Sequence, residues 1–166
     1  MALPTQNRHP LDTGSAPTAQ HLGADDLPWI PSPRMEGVEF KVVTAKVKEG
    51  LWILRNRFAP GIELRTHKHT GQVHAFTLSG AWGYRESEYL NRAGSFLFEP
   101  AGSIHTLYVP EDNTETTDIW FAIWGANLNM DEHGNIESVT DAESILDFYL
   151  RGCAEIGVAD PPVLTD

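Results

Sequence analysis

The sequence GIELRTHKH at residues 61–69 and the sequence GSFLFEPAGSIH at residues 94–105 decide the fold of this chain. Both begin with glycine, and the second contains a Pro-x-Gly turn, so both are typical of short strands joined by tight turns. His67 and His69 are two residues apart and therefore face the same side of a strand. With His105 on a second strand they form a candidate metal site, because imidazole binds Fe, Zn, Cu and Ni.

Strand-like segments separated by Gly and Pro extend outward from this stretch in both directions. The predicted strands cover residues 38–47, 51–59, 73–79, 81–86, 95–99, 104–109 and 118–130, the last one broken at Gly125. A polar loop is predicted to run to Arg92. The one pattern typical of a helix covers residues 141–156, where Asp141 can act as the N-cap. This order predicts an all-β fold, a single-domain jelly-roll barrel or sandwich with a C-terminal helix.

Two less regular segments flank this predicted domain, which covers residues 28–156. Residues 1–27 are rich in Pro, Thr, Ala and Gln, and we expect a flexible arm that can lie over a partner subunit. Trp29, between two prolines, is expected to dock against the barrel. The Pro-rich tail at residues 157–166 is predicted to be irregular.

The composition argues against several classes of function. The chain has 166 residues and a formal net charge of −11, which disfavours nucleic acids and anionic membranes as partners. Its one cysteine, Cys153, cannot form an intrachain disulfide and indicates a reducing, cytoplasmic location. No apolar run is long enough to span a membrane, and no secretory signal pattern is present. No phosphate-binding glycine loop or Gly-x-Ser-x-Gly motif is found, so we expect no cofactor other than a metal.

The histidines and the glycines around them resemble the two motifs of the cupin superfamily, whose members are small jelly-roll barrels. The first motif is Gly, five residues, His-x-His, three or four residues, Glu, six residues, Gly, and the second is Gly, five residues, Pro-x-Gly, two residues, His, three residues, Asn. The positions that fit are Gly61, His67, His69, Gly80, Gly94, Pro100, Gly102 and His105.

Two positions depart from these motifs. Counting back from Gly80, the slot of the acidic ligand holds Val73, whereas counting forward from His69 it can also hold His74. Strand parity favours Val73, because this residue shares a face with both motif histidines and His74 does not. His74 is kept as a reserve ligand. The second departure is Val109, which replaces the final Asn.

The lost carboxylate leaves three neutral ligands, and such a site is similar to that of cupin oxygenases that cleave carbon–carbon bonds in ketones. These are the acetylacetone dioxygenases and the 2,4'-dihydroxyacetophenone dioxygenases, which also resemble this chain at residues 98–100 and 125–135. The resemblance implies a non-haem Fe(II) dioxygenase that cleaves the bond beside the carbonyl of an aryl α-hydroxyketone or a β-diketone to give carboxylic acid products. Ligand type alone leaves Zn, Ni and Mn open as the metal.

The resemblance and the motif positions assign roles to five further residues. Glu99 is expected to support a ligand or hold substrate, and Arg85 is expected to pair with Glu99, so that both are candidate catalytic residues. Trp120 is either core packing or an aromatic wall against the substrate. Tyr108 and Leu64 are further candidates for substrate contact.

Two alternatives from other functional classes stay open. One is a non-catalytic metal-binding cupin that acts as a sensor, and the other is a different cupin metalloenzyme, such as an isomerase or a thiol oxygenase. The arm and the cupin resemblance also predict a homodimer or homotetramer.

Overall fold

The computed structural model describes residues 17–166, and within that range it contains fourteen strands and one helix. The elements in chain order are β1 (Ile30–Pro31), β2 (Val38–Lys46), β3 (Leu51–Phe58), β4 (His67–His69), β5 (Val73–Ser79), β6 (Ala81–Tyr84), β7 (Leu90–Arg92), β8 (Phe96–Glu99), β9 (Ile104–His105), β10 (Leu107–Tyr108), β11 (Thr117–Trp124), β12 (Asn127–Met130), β13 (Ile136–Thr140), α1 (Ala142–Glu155) and β14 (Leu164–Thr165).

The strands form three sheets. All their pairings are antiparallel except that of β14 with β2, and some neighbouring strands are far apart in sequence. The largest sheet has the order β1-β2-β3-β11-β5-β8, and β14 pairs with β2 in parallel at its margin. A second sheet has the order β13-β12-β4-β9, and a third has the order β10-β6-β7. Because β11 lies between β3 and β5, strands distant in sequence become neighbours, as in a jelly roll. The predicted all-β barrel with a C-terminal helix is therefore confirmed.

Side-chain alternation gives the large sheet a buried inner face and a different outer face. On β3, Trp52, Leu54 and Phe58 point into the main apolar cluster of the barrel. Arg55 alternates with them and faces outward, where its guanidinium binds Asp118 with two hydrogen bonds of 2.6 and 2.7 Å. Burial of the aromatic and aliphatic inner face is the main source of stability for such a barrel.

Helix α1 closes a second apolar cluster against β1 and β2. Asp141 is its N-cap and accepts a hydrogen bond of 2.9 Å from the Ser144 amide, while the Ser144 hydroxyl accepts one of 2.8 Å from the Asp141 amide. This capping box stabilises a helix start by about 1 kcal/mol. Tyr149 and Cys153 are fully buried on the inner face of the helix, in keeping with a packing role for the cysteine.

The segment before β1 packs on the barrel. Leu27 is buried, and the Lys41 ammonium donates a 2.7 Å hydrogen bond to the Ala24 carbonyl. Trp29 docks as expected, with the Arg57 guanidinium 3.9 Å from its ring centroid. Cation–π contacts of this kind stabilise the docked ring. The end of the predicted flexible arm is thus attached to the domain, whereas its residues 1–16 lie outside the described residues.

Three local predictions differ from the structure. The expected loop before Arg92 contains β7, and the tail contributes β14, where Leu164 pairs with Thr44. The expected strand 104–109 is two strands, because β9 pairs with β4 and β10 pairs with β6. The change of partner occurs at Thr106, whose amide donates instead to the Glu86 carboxylate at 2.9 Å. Among the described residues, no helix is long and apolar enough to cross a membrane.

Candidate metal site

The three motif histidines meet inside the barrel, as the sequence predicts. His67 and His69 project from the same face of β4, and both are buried. His105 on β9 is the register partner of His67. One ring nitrogen from each histidine lies within 4.8 Å of the other two. The pleat of one strand and the pairing of two strands therefore assemble the cluster.

The hydrogen bonds around the rings leave ring nitrogens free to bind a metal. His67 Nδ1 lies 2.9 Å from the Arg65 carbonyl oxygen, which only accepts, so that nitrogen carries the hydrogen and Nε2 is left with a lone pair. His105 Nε2 is buried and makes no hydrogen bond within the described chain. An unpartnered buried nitrogen is costly unless something binds it. These three neutral donors fit a transition metal.

Glu99 contributes a carboxylate to the same cluster. Its Oε2 atom lies 3.2 Å from Nε2 of both His69 and His105, yet it is an unpartnered buried atom that forms no hydrogen bond with either. These contacts place a carboxylate oxygen beside two of the three histidines. Val73 is the register partner of Glu99 across β5 and β8. A carboxylate therefore lies beside the histidines on the strand that neighbours Val73.

Tyr84 is a site residue that the sequence analysis missed. It is buried, its ring stacks on His105 with a centroid distance of 3.8 Å, and its hydroxyl donates a hydrogen bond to Glu99 Oε1. It shares the inward face of β6 with Trp82, which is two residues earlier. This two-residue spacing is the signal that could have identified it. The sequence analysis predicted its neighbour Arg85 as the site residue instead.

The pairing of Arg85 with Glu99 is wrong, because Arg85 points out of the barrel. The Arg85 guanidinium donates a 2.7 Å hydrogen bond to Glu63 at the surface and lies 4.0 Å from the centroid of the Tyr108 ring. Tyr108 follows the same outward direction and does not line the cavity described below. These three residues form a surface group apart from the histidines.

Burial sets the protonation preferences of the cluster. It lowers the pKa of His69 and the pKa of His105 to about 3 each, with the neighbouring His67 adding to both effects, and it lowers the pKa of His67. Burial also raises the pKa of Glu99 to about 7, against the hydrogen bond from Tyr84, which lowers it. The imidazoles are therefore held neutral, which is the form that binds a metal.

The outer face of β5 and β11 holds the residues that do not reach the cluster. His74 packs against Phe98 and Trp124, with ring centroids 5.3 and 5.7 Å apart, and is not in the cluster. Trp120 is the register partner of Arg55 and Phe76, both outward-facing, so it cannot form the expected aromatic wall. The aromatic ring that does face inward on β11 is Phe121, one residue further along.

A cavity of about 770 Å3 adjoins the cluster and includes His67, His69 and Tyr84 in its wall. Its apolar wall residues include Trp52, Leu54, Phe58, Leu107, Phe121, Ile123 and Leu64, the last being a candidate for substrate contact. Its polar wall residues include Arg34, Asn56, Asn127, Asn129 and Thr140. Pockets of this size and mixed lining are typical of sites for drug-sized ligands.

Comparisons with known proteins agree with this architecture. The profile of the ChrR cupin-like domain family matches residues 18–122. A protein of unknown function with a cupin-like fold from Ralstonia eutropha JMP134 is 31% identical over 90% of this chain and 95% of its own, with a TM-score of 0.82. An RmlC-like cupin protein from the same organism is 28% identical over the same shares of the two chains, with a TM-score of 0.84.

An acetylacetone dioxygenase from Acinetobacter johnsonii shares the fold at 16% identity, with a TM-score of 0.72 over 87% of this chain and 99% of its own. No curated protein matches the sequence.

Proposed function

Because the chain belongs to the ChrR cupin-like domain family and joins a metal-ligand cluster to a large cavity, we propose that it is a metal-dependent enzyme. The proposed reaction is the Fe(II)-dependent cleavage by O2 of the carbon–carbon bond beside a carbonyl. The proposed substrates are aryl α-hydroxyketones and β-diketones, and the products are a carboxylic acid and a second carbonyl compound.

The observation that carries this proposal is the contact between the cluster and the cavity. His67 and His69 belong to the cavity wall, so a molecule that fills the cavity lies against two of the three candidate ligands. A site that only holds a metal for structural reasons is closed by its ligands and needs no such space. The fold shared with an acetylacetone dioxygenase supports the choice of a ketone.

His67, His69 and His105 would hold the iron through their ring nitrogens. When bound, the metal supplies Lewis acidity and a path for electrons from the substrate to O2. Both oxygen atoms enter the two products and the substrate supplies the electrons, so no flavin, nicotinamide or 2-oxoacid is required. In 2,4'-dihydroxyacetophenone this cleavage would give 4-hydroxybenzoate and formate.

Glu99 would hold the proton that a ketone loses from the carbon next to its carbonyl. Its Oε2 atom is unpartnered and faces the histidines, while Tyr84 fixes the other carboxylate oxygen by its hydrogen bond. The apolar wall residues Leu54 and Phe121 would exclude water from the reacting carbons.

A second candidate is a non-catalytic metal-holding cupin. Glu99 favours it, because the position of Oε2 beside two ligand nitrogens would make a fourth ligand and close the coordination sphere. The family match is compatible with this alternative as well.

Oxygen uptake separates the two candidates. Protein loaded with Fe(II) under anaerobic conditions would be mixed with 2,4'-dihydroxyacetophenone, then with acetylacetone, in an oxygen electrode, and the products identified by mass spectrometry. We expect stoichiometric O2 consumption and two carbonyl products, and no uptake in His105→Ala. Tight metal binding without uptake from these ketones and close analogues would overturn the dioxygenase and favour the metal-holding protein.

A further inference from the structure

The cavity extends along the barrel well beyond the histidines. At the metal end, register partners connect Glu99, Val73, Ile123 and Trp52 across β8, β5, β11 and β3. Asn56 lies on the same inner face of β3, four residues from Trp52, which corresponds to about 13 Å at roughly 3.3 Å per residue. Both Trp52 and Asn56 line the cavity, so a ligand that fills it spans this length.

Asn56 is a polar position in an apolar stretch of wall. Leu54 and Phe58 flank it on the inner face of β3, and Ile119 is its register partner on β11. The Asn56 amide has no hydrogen-bond partner among the described residues and is half-buried at the cavity surface. An amide in this state offers two donors and an acceptor to a ligand, which the neighbouring side chains cannot do.

Arg34 adds a cation at the same end of the cavity. Its loop leads into Val38, which is the register partner of Phe58, and its guanidinium lies 5.9 Å from the centroid of the Phe148 ring. Arg34 is exposed and pairs with no carboxylate in the part of the chain that the structure describes. The wall at the end of the cavity away from the histidines therefore includes an amide and an arginine.

We propose that the site takes an extended ketone with an apolar body and a hydrogen-bond-accepting tail, best a carboxylate. The ketone head lies at the histidines, the body lies along Leu54 and Phe121, and the tail reaches Asn56 and Arg34. The placement of the ketone head rests on the function proposed above. A small diketone such as acetylacetone occupies the histidine end alone and leaves the far end to water.

Binding to zinc-loaded protein tests this proposal without turnover, because Zn²⁺ has no redox chemistry. The probes for isothermal titration calorimetry are acetylacetone, 1-phenyl-1,3-butanedione and 4-(3-oxobutanoyl)benzoate, which share the diketone head and differ in body and tail. We expect affinity to rise along this series. Asn56→Leu should weaken the carboxylated probe by about tenfold, the size of a hydrogen bond to a charged group, and leave acetylacetone unchanged.

Arg34→Ala should weaken the carboxylated probe alone, whereas Arg92→Ala, at an exposed arginine outside the cavity, should change nothing. Equal affinity for the three probes, no binding by any of them, or equal losses for all three in Asn56→Leu would overturn the proposal. If iron-loaded protein consumes no O2 while these binding differences appear, the ligand class stands and the dioxygenase fails. If all diketones are cleaved at equal rates regardless of length, the dioxygenase stands and the proposed ligand class fails.

A separate observation concerns the outer face of β5, β8 and β11. Phe76, Phe96 and Phe98 are 46%, 62% and 51% exposed there, beside the partly exposed Leu78 and Trp120. Three half-exposed aromatic rings alone present on the order of 300 Å2 of apolar surface, which is already near the largest patch of a typical monomer. We name these residues, with His74 and Trp124, the outer aromatic patch.

We infer that the outer aromatic patch joins two copies of this chain around a two-fold axis. The chain has a net charge of −11, so copies repel except where their surfaces are neutral, and this patch contains no charged residue. At its margin, β8 pairs with β5 on one side and with no other described strand, so its free edge can pair with the same edge of a second copy. A stable interface buries roughly 800 Å2 per partner, and these three rings supply about 300 Å2 of apolar area toward it.

Light scattering after size exclusion tests this interface. The full chain should elute with twice the monomer mass of 18.4 kDa. The double variant Phe96→Lys/Phe98→Lys should be monomeric, whereas Ile136→Lys, at a residue 56% exposed on β13, should remain dimeric. A monomeric full chain, or a dimer that survives the double variant, would overturn the inference.

Discussion

On the inner face of β5 and β8, Val73 lies opposite Glu99, whose carboxylate lies 3.2 Å from His69 and from His105. One residue further along, on the outer face, His74 lies opposite Phe98 in the outer aromatic patch. Aromatic rings lie beside the polar side chains on both faces. The buried polar atoms that lack a hydrogen-bond partner, on His69, Glu99 and His105, belong to the inner face. The pleat of the sheet, more than the residue types, decides which groups can bind a metal.

The largest effect on this comparison should come from removing an inner-face ligand. His105→Ala should lower metal affinity by more than roughly 100-fold, since loss of an outer-shell partner alone costs about 10–100-fold. Metal content after anaerobic purification measures the effect. One metal per chain at unchanged affinity in this variant would contradict the three-histidine assignment.

Moving the carboxylate between the two partner strands should sharpen the comparison further. Val73→Glu alone places a buried charge opposite Glu99 and should lower the free energy of unfolding by about 3–5 kcal/mol. The double variant Val73→Glu/Glu99→Val puts the carboxylate in the usual cupin slot and should recover most of that loss together with metal binding. Urea unfolding and metal titration of both variants test this, and a double variant no better than the single one would refute the exchange.

Glu99→Gln keeps the shape of the side chain and removes its charge. If Glu99 holds a proton in the reaction, turnover should fall by about 10–100-fold while the iron content stays near that of the unaltered protein. Oxygen uptake and metal analysis on the same preparation separate the two effects. A matching loss of iron would identify Glu99 as a fourth ligand. Tyr84→Phe should cause a smaller change in the same direction.

The stability of the chelator-treated protein should depend on pH through the inner face. The unfolded chain takes up protons on His69 and His105 below about pH 6.5, whereas the folded chain does so near pH 3, so stability falls as the pH drops between these values. Glu99 acts in the opposite direction between its ordinary pKa of 4.5 and about 7, where the folded chain keeps a proton that the unfolded chain loses.

The histidines outnumber this carboxylate, so the melting temperature should be highest near pH 6.5 and fall more steeply below pH 4.5. Differential scanning calorimetry against His105→Leu as the control should show a shallower fall in the variant. Identical pH profiles would contradict the neutral, buried state of His105.

The smallest effect is expected on the outer face. His74→Ala removes a ring that packs on Phe96, Phe98 and Trp124 at the surface, so stability should change by less than about 1 kcal/mol and metal content should not change. A strong loss of metal would show that the assignment of the two faces is off by one residue. This variant is also the natural control for His105→Ala.

Much of this site could be predicted from the sequence, because spacing fixes parity within a strand. The histidine pair on β4, the inward direction of Val73 and the outward direction of His74 all follow from the period of two. Parity does not say which face is inner when both faces are apolar. The prediction that Trp120 faces inward was wrong for this reason, because Phe121 on the inner face of β11 is as apolar as Trp120.

The position of Glu99 among the ligands could not be derived from spacing, because it depends on the register between two strands. Arg85 was predicted to pair with Glu99 from its strand position and the family resemblance, but the strand places Tyr84 inward instead. The strand β14 on the tail was missed for a similar reason. Leu164 pairs with Thr44 on β2, and a contact this distant in sequence leaves no local pattern.

The place of β11 in the large sheet sets the order in which the protein can fold. β3 and β5 are complete by residue 79, yet the strand that joins them ends at Trp124, so both have an unpaired edge until the chain has grown by a further 45 residues. Pairings this distant make β folds slow, and open edges invite association in the meantime. During synthesis, Glu99 and the histidines would all emerge before the sheet that buries them can close.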